Sequence, residues 1–129
     1  MIQDNKATAI KYLRCLEQGD FAGMRALCTL TATVWHNDGK GEQTLNENLA
    51  GLEEQMTTES IGALRYHIVR QFDRPNEVLQ QHVLNVATAD GSVLELPVAM
   101  YFGFKEGLID RIEEYANISA PPEDDTAPS

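Results

Sequence analysis

From Asn5 to Gln18 the apolar positions Ala9, Tyr12, Leu13 and Leu16 recur at three- and four-residue intervals. That period places them on one stripe of a helix, and Gly19 is a natural stop just past its end. Asp20 stands where it can cap a second, short helix, with Phe21, Met24 and Leu27 as its buried side. Thr31 to His36 is mostly β-branched or aromatic, which predicts a strand. A polar turn from Asn37 to Gly41 then leads to a third helix, Thr44 to Gln55, whose Leu45, Leu49 and Leu52 share a face with Met56.

After Thr58 the period changes to two. Leu64, Tyr66, Ile68 and Phe72 alternate with more polar neighbours, and Arg74-Pro75-Asn76 makes a turn. Val78, Gln80, His82, Leu84 and Val86 form one face of the next strand, and Asp90-Gly91 signals a hairpin. Val93 to Phe104 is a long apolar strand, and Glu106-Gly107 turns into a last strand, Leu108 to Ala116. Connections this short predict an antiparallel meander covered on one face by the helices: an α+β sheet-and-helix sandwich. The long strand is apolar on both faces, with Leu94, Leu96, Val98, Met100, Phe102 and Phe104 on one and Val93, Pro97, Ala99 and Tyr101 on the other. The helices cover one face; a second copy of the chain is the simplest cover for the other, which predicts a homodimer.

With 129 residues, 43% of them hydrophobic, the chain suits one domain with a real core. We place that domain at 1–118 and expect 119–129, rich in Pro and acidic residues, to be a disordered tail. The formal charge of -10 would repel nucleic acid and anionic membranes, so neither is expected as a partner. No apolar run approaches the ~18 residues of a membrane span, and no signal-peptide pattern opens the chain, so a cytoplasmic location is expected. Cys15 and Cys28 do not form a disulfide framework, and His36, His67 and His82 are too scattered for a zinc set. Neither a phosphate-binding glycine loop nor a nucleophile elbow is present, and neither a cofactor nor a metal is expected.

Three segments carry a family pattern. Tyr12-Leu13-Arg14-Cys15-Leu16-Glu17-Gln18-Gly19-Asp20, Ala32-Thr33-Val34-Trp35-His36 and Gly107-Leu108-Ile109-Asp110-Arg111-Ile112-Glu113-Glu114-Tyr115 resemble the nuclear transport factor 2-like superfamily, in its SnoaL-like and ketosteroid-isomerase-like branches. The resemblance spans roughly residues 7 to 117. It implies a cone, in which a strongly curved mixed sheet wraps the N-terminal and middle helices and opens onto a pocket, and it implies dimers. Family members include isomerases, cyclases, dehydratases, epoxide hydrolases, transport adaptors and non-catalytic binders, so the fold alone does not name a reaction. In the isomerase branch a helix tyrosine donates to the developing oxyanion, and Tyr12 matches it. The proton-moving carboxylate at the end of the first strand is replaced by His36, and the acidic donor on the long strand by Met100. Steroid isomerisation by that mechanism is therefore not expected. The Asp-Arg-Asp set of the epoxide hydrolases is not expected either, since Met100 and Phe102 put no carboxylate beside Arg111.

These residues define the candidate site. An imidazole with a reference pKa near ~6.5 is a general base without much tuning, which singles out His36; the plain alternative is a surface histidine at a strand end. Tyr12 is its expected partner as oxyanion donor. His82, Met100, Phe102 and Glu113 are expected to line the pocket, with Glu113 as a carboxylate partner for His82; the alternative for His82 is a core-edge histidine held by a hydroxyl or water. Trp35, by alternation, faces away from His36. Two functions stay open. One is a cofactor-free isomerase, cyclase or dehydratase acting on a small apolar, carbonyl-bearing molecule; the other is a non-catalytic ligand-binding or interaction domain of the same fold.

Overall fold

Asp4 opens the first helix by accepting the Ala7 N–H at 3.1 Å, and α1 runs Asn5–Glu17. Asp20 does the same for α2 (Phe21–Ala26), accepting the Gly23 N–H at 2.8 Å. Each cap contributes ~1 kcal/mol. The third helix, α3 (Leu45–Thr57), opens on a reciprocal pair: Thr44 Oγ1 accepts from the Glu47 N–H at 3.1 Å, and Glu47 Oε1 accepts from the Thr44 N–H at 2.9 Å. One residue of α3 runs against helix propensity. Gly51 stands mid-helix with nothing among the described residues within 4 Å of where a Cβ would project, so no packing contact there requires a glycine. It lowers helix stability by roughly 1 kcal/mol against alanine.

The computed structural model describes residues 4–57, 62–88 and 90–116, and the tail expected to be disordered lies outside them. Two strands, β1 (Cys28–His36) and β2 (Glu42–Thr44), lie between α2 and α3, and four more follow α3: β3 (Leu64–Arg74), β4 (Glu77–Ala87), β5 (Val93–Lys105) and β6 (Leu108–Ala116). They form one sheet ordered β2-β1-β6-β5-β4-β3. β3 to β6 are the expected antiparallel meander; β1 then lies parallel to β6, which makes the sheet mixed. The pattern does not predict β2, whose three residues pair antiparallel with β1: Glu42 and Gln43 fall between the expected turn and helix, and Thr44 is the expected helix start. It also started β1 at Thr31, whereas the strand begins at Cys28.

Two bulges reset the alternation. In β3, Ile68 pairs with His82 and Arg70 with Gln81, so Val69 is an extra residue. In β6, Arg111 pairs with Gly103 and Ile109 with Phe104, so Asp110 is extra. An inserted residue reverses which side chains face inward beyond it. Phe72 was expected on the face of Leu64 and Tyr66; beyond the Val69 bulge it turns outward and is 60% exposed, while Gln71 turns inward.

All three helices pack on one face of this α+β sheet. Leu13, Met24, Leu49, Phe102, Ile109 and Ile112 are fully buried between the layers. Burying each such side chain contributes about 1.5–3 kcal/mol. The opposite face keeps Val69, Phe72, Leu79 and Tyr115 exposed. Among the described residues no helix is long and apolar enough to cross a membrane.

Candidate functional site

Strand register brings the polar site residues together. β1 and β6 run parallel with His36 directly beside Glu114, and β5 places Met100 on the other side of Glu114. Neighbours in register project from the same face, so imidazole, carboxylate and thioether form one row across the inner face. His36 Nε2 lies 2.9 Å from Glu114 Oε1, and the two side chains are 29% and 19% exposed. The hydrogen bond to Glu114 raises the His36 pKa above its ordinary value, against the opposing pull of burial; the charges of Glu114 and Asp38 add to the rise. The carboxylate holds a proton on Nε2 and leaves the Nδ1 lone pair of the neutral ring to accept one.

This row forms part of the wall of a chamber of about 380 Å³. Its other walls are mainly apolar: Leu16 and Met24 from the first two helices, Val34 from β1, Leu84 and Val86 from β4, and Ile112 from β6. Tyr12 from α1 and Tyr66 from β3 also line it. Neither phenol has a hydrogen-bond partner among the described residues. Burial pushes the pKa of both well above the usual tyrosine range, and the nearby Glu114 charge pushes in the same direction. Both therefore stay protonated donors. Asn48 and Gln55 of α3 and Thr88 after β4 add polar groups at the border.

Tyr66 is anchored through its backbone. β3 is an edge strand, so half of its peptide groups have no strand partner. Glu17 Oε2 accepts the Tyr66 N–H at 2.7 Å, and Arg14 Nη1 donates to the Tyr66 carbonyl at 2.8 Å. Arg14 and Glu17 also pair with each other at 2.8 Å. The helix that carries Tyr12 thus also fixes Tyr66.

The structure places three of the sequence candidates, Tyr12, His36 and Met100, on the chamber wall. The other three are placed elsewhere. Phe102 is fully buried behind the wall, edge-on to Tyr12 with ring centroids 6.3 Å apart. His82 is also buried, edge-on to Tyr66 at 5.2 Å, and does not line the chamber. Its Nδ1 meets Gln80 Nε2 at 3.0 Å, and Gln80 Oε1 in turn accepts from Gln71. Burial lowers the His82 pKa, so the ring is neutral with its proton on Nε2, an atom without a hydrogen-bond partner among the described residues. Glu113 is the clearest correction. The Asp110 bulge turns it to the outer face, where it accepts from Arg111 at 2.9 Å and from Tyr115 at 3.1 Å. Glu114 takes the inward place, and its partner is His36 rather than His82. Trp35 lies on the outer side as expected, against Tyr115. Glu114, Tyr66, Asn48 and Gln55 are the residues the sequence reading missed. Among the described residues no group of three or more His, Cys, Asp or Glu side chains is arranged to hold a metal ion.

No family model matches the chain, and no curated protein matches it in sequence. Solved structures do. A nuclear transport factor 2-like protein of unknown function from Burkholderia pseudomallei superposes with a TM-score of 0.74 at 16% identity, over 88% of this chain and 90% of that one. An LEH-like epoxide hydrolase from M. tuberculosis gives 0.72 at 16% identity, over 87% and 81%. A protein of ketosteroid isomerase-like fold from Catenulispora acidiphila, crystallised with trimethylamine, gives 0.74 at 13% identity, over 87% and 86%. The chain therefore has the nuclear transport factor 2-like fold, with the curved mixed sheet the sequence resemblance implied.

Proposed function

We propose that the chamber binds a small, apolar, carbonyl-bearing molecule and moves a proton on the carbon beside its carbonyl. The observation that carries this reading is the joint placement of the His36–Glu114 pair and two unpartnered phenols on one largely apolar wall. His36 Nδ1 takes the proton, and Glu114 stabilises the imidazolium that forms. The electrons move onto the carbonyl oxygen, which accepts hydrogen bonds from Tyr12 and Tyr66. Such donors act strongly where water is scarce. The imidazolium returns the proton to another carbon, giving an isomer, or to a departing hydroxyl, giving water and an unsaturated product. The second, apolar face of the sheet belongs in the same reading as the contact between two copies of the chain.

The test is exchange of the protons beside the carbonyl of β-tetralone in D2O, followed by NMR. The protein is expected to accelerate exchange above the buffer rate, and His36→Ala to abolish the acceleration. Saturable binding without exchange would overturn the catalytic reading in favour of a non-catalytic ligand-binding domain.

A further inference from the structure

A second concavity, of about 340 Å³, adjoins the chamber and shares His36, Asn48, Leu52 and Gln55 with it. The two differ in chemistry. Beyond the shared border the vestibule is lined by Asp38, Lys40, Gln43 and Glu47, none of which lines the chamber. Gly51 also lines it, and this is the mid-helix glycine that no packing contact requires. A side chain there would project into open space, so the missing Cβ keeps room beside the border. Spacings of four and three put Asn48, Leu52 and Gln55 on one face of α3, with Gly51 next to them.

We propose that the site takes an amphiphile, with its apolar body in the chamber and a hydroxyl- or ammonium-bearing head in the vestibule beside Gly51. The inference rests on the reading of the chamber as a small-molecule site and deepens it by naming the ligand class. Two carboxylates against one ammonium, on a chain of charge -10, disfavour an anionic head. Asp38 and Glu47 each use one oxygen within their own turn, accepting from the Lys40 and Thr44 N–H groups, and each has a second oxygen for a donor. His36 stands at the border, so a ligand anchored by its head presents to the imidazole the bond nearest the junction of head and body. Gly51 then acts on specificity and takes no part in proton transfer.

Phenylbutanol, phenylbutylamine, phenylbutanoate and butylbenzene share one apolar body and differ in the head. Calorimetric or NMR titration of the full chain is expected to show the amine and the alcohol binding about tenfold or more tighter than the butanoate and butylbenzene. Gly51→Phe is expected to erase that preference and leave butylbenzene affinity within about twofold. Gly51→Ala, which improves the helix and adds one methyl, is expected to retain it and shows that helix stability is not the cause. Equal or tighter binding of the butanoate or butylbenzene overturns the proposal, as does a preference that survives in folded Gly51→Phe or the absence of saturable amine and alcohol binding. The two readings fail separately: loss of the head-group preference leaves β-tetralone exchange in place, and absence of exchange leaves the preference in place.

Discussion

Replacing Glu17 removes the acceptor that holds Tyr66. In the native protein its Oε2 takes both the Tyr66 N–H at 2.7 Å and the Arg14 guanidinium at 2.8 Å. The Glu17 side chain is only 10% exposed, so water does not readily take its place, whereas Arg14 at 45% is well solvated. The backbone bond to a charged acceptor therefore carries most of the effect, about 1.5–3 kcal/mol. The ion pair adds at most ~1 kcal/mol after solvent screening. Glu17→Ala is expected to destabilise the protein by about 2–3 kcal/mol in urea melts, with unchanged m-value. Glu17→Gln keeps an amide oxygen for the Tyr66 N–H and is expected to lose roughly half as much. Hydrogen exchange of the Tyr66 amide reports the same bond locally and should quicken in Glu17→Ala more than exchange at Leu84, its ladder partner. A Glu17→Ala melt within ~0.5 kcal/mol of the parent, with Tyr66 protection intact, would refute the anchoring argument.

Glu114→Gln replaces the carboxylate whose hydrogen bond, and then charge, raises the His36 pKa, so an NMR titration of the imidazole should show the pKa falling in the variant. Because the folded value lies above the unfolded one, the stability from this pair is fully present below the ordinary histidine pKa and is lost as pH rises through the folded value; the loss should vanish in Glu114→Gln. His82 has the opposite sign. Its folded pKa is lowered by burial, so stability should fall as pH drops through the ordinary histidine range, and His82→Leu should flatten that limb of a denaturation–pH curve. On the outer face, Leu79→Glu is expected to shift the chain from dimer to monomer in sedimentation velocity, since Leu79 is 44% exposed beside exposed Phe72. A parent that sediments as a monomer would contradict the pairing of two copies.

The helical stripe was legible because its period is long enough to average over errors: Ala9, Tyr12, Leu13 and Leu16 are all buried where the spacing placed them. Tyr12 and His36 followed, one from the stripe and one from a strand end. The strands were less secure, because a period of two has no redundancy. One extra residue at Asp110 exchanged Glu113 for Glu114, and one at Val69 exchanged Phe72 for Gln71. Neither bulged strand carries a glycine or proline at the bulge; Gly103, inside β5 and opposite the Asp110 bulge, is the one mark of it, and it does not say which residue of β6 is extra. The missing signal was tertiary: Asp110 accepts from Thr29 on the neighbouring β1 at 2.6 Å, a contact made only once β1 lies beside β6. Tyr66 was visible as an inward strand residue, but its place beside Tyr12 depends on the Glu17 and Arg14 anchor.

In the proposed function Tyr12 and Tyr66 both donate to the carbonyl of a ligand held beside His36. Isotope-edited infrared spectroscopy of carbonyl-labelled β-tetralone bound to the protein measures this polarisation directly. The carbonyl stretch is expected at lower frequency than in hydrocarbon solvent, partly restored by Tyr12→Phe or Tyr66→Phe and fully restored by the double variant. A bound carbonyl at the hydrocarbon frequency in the parent, or one unmoved by the double variant, would rule out donation by the two phenols.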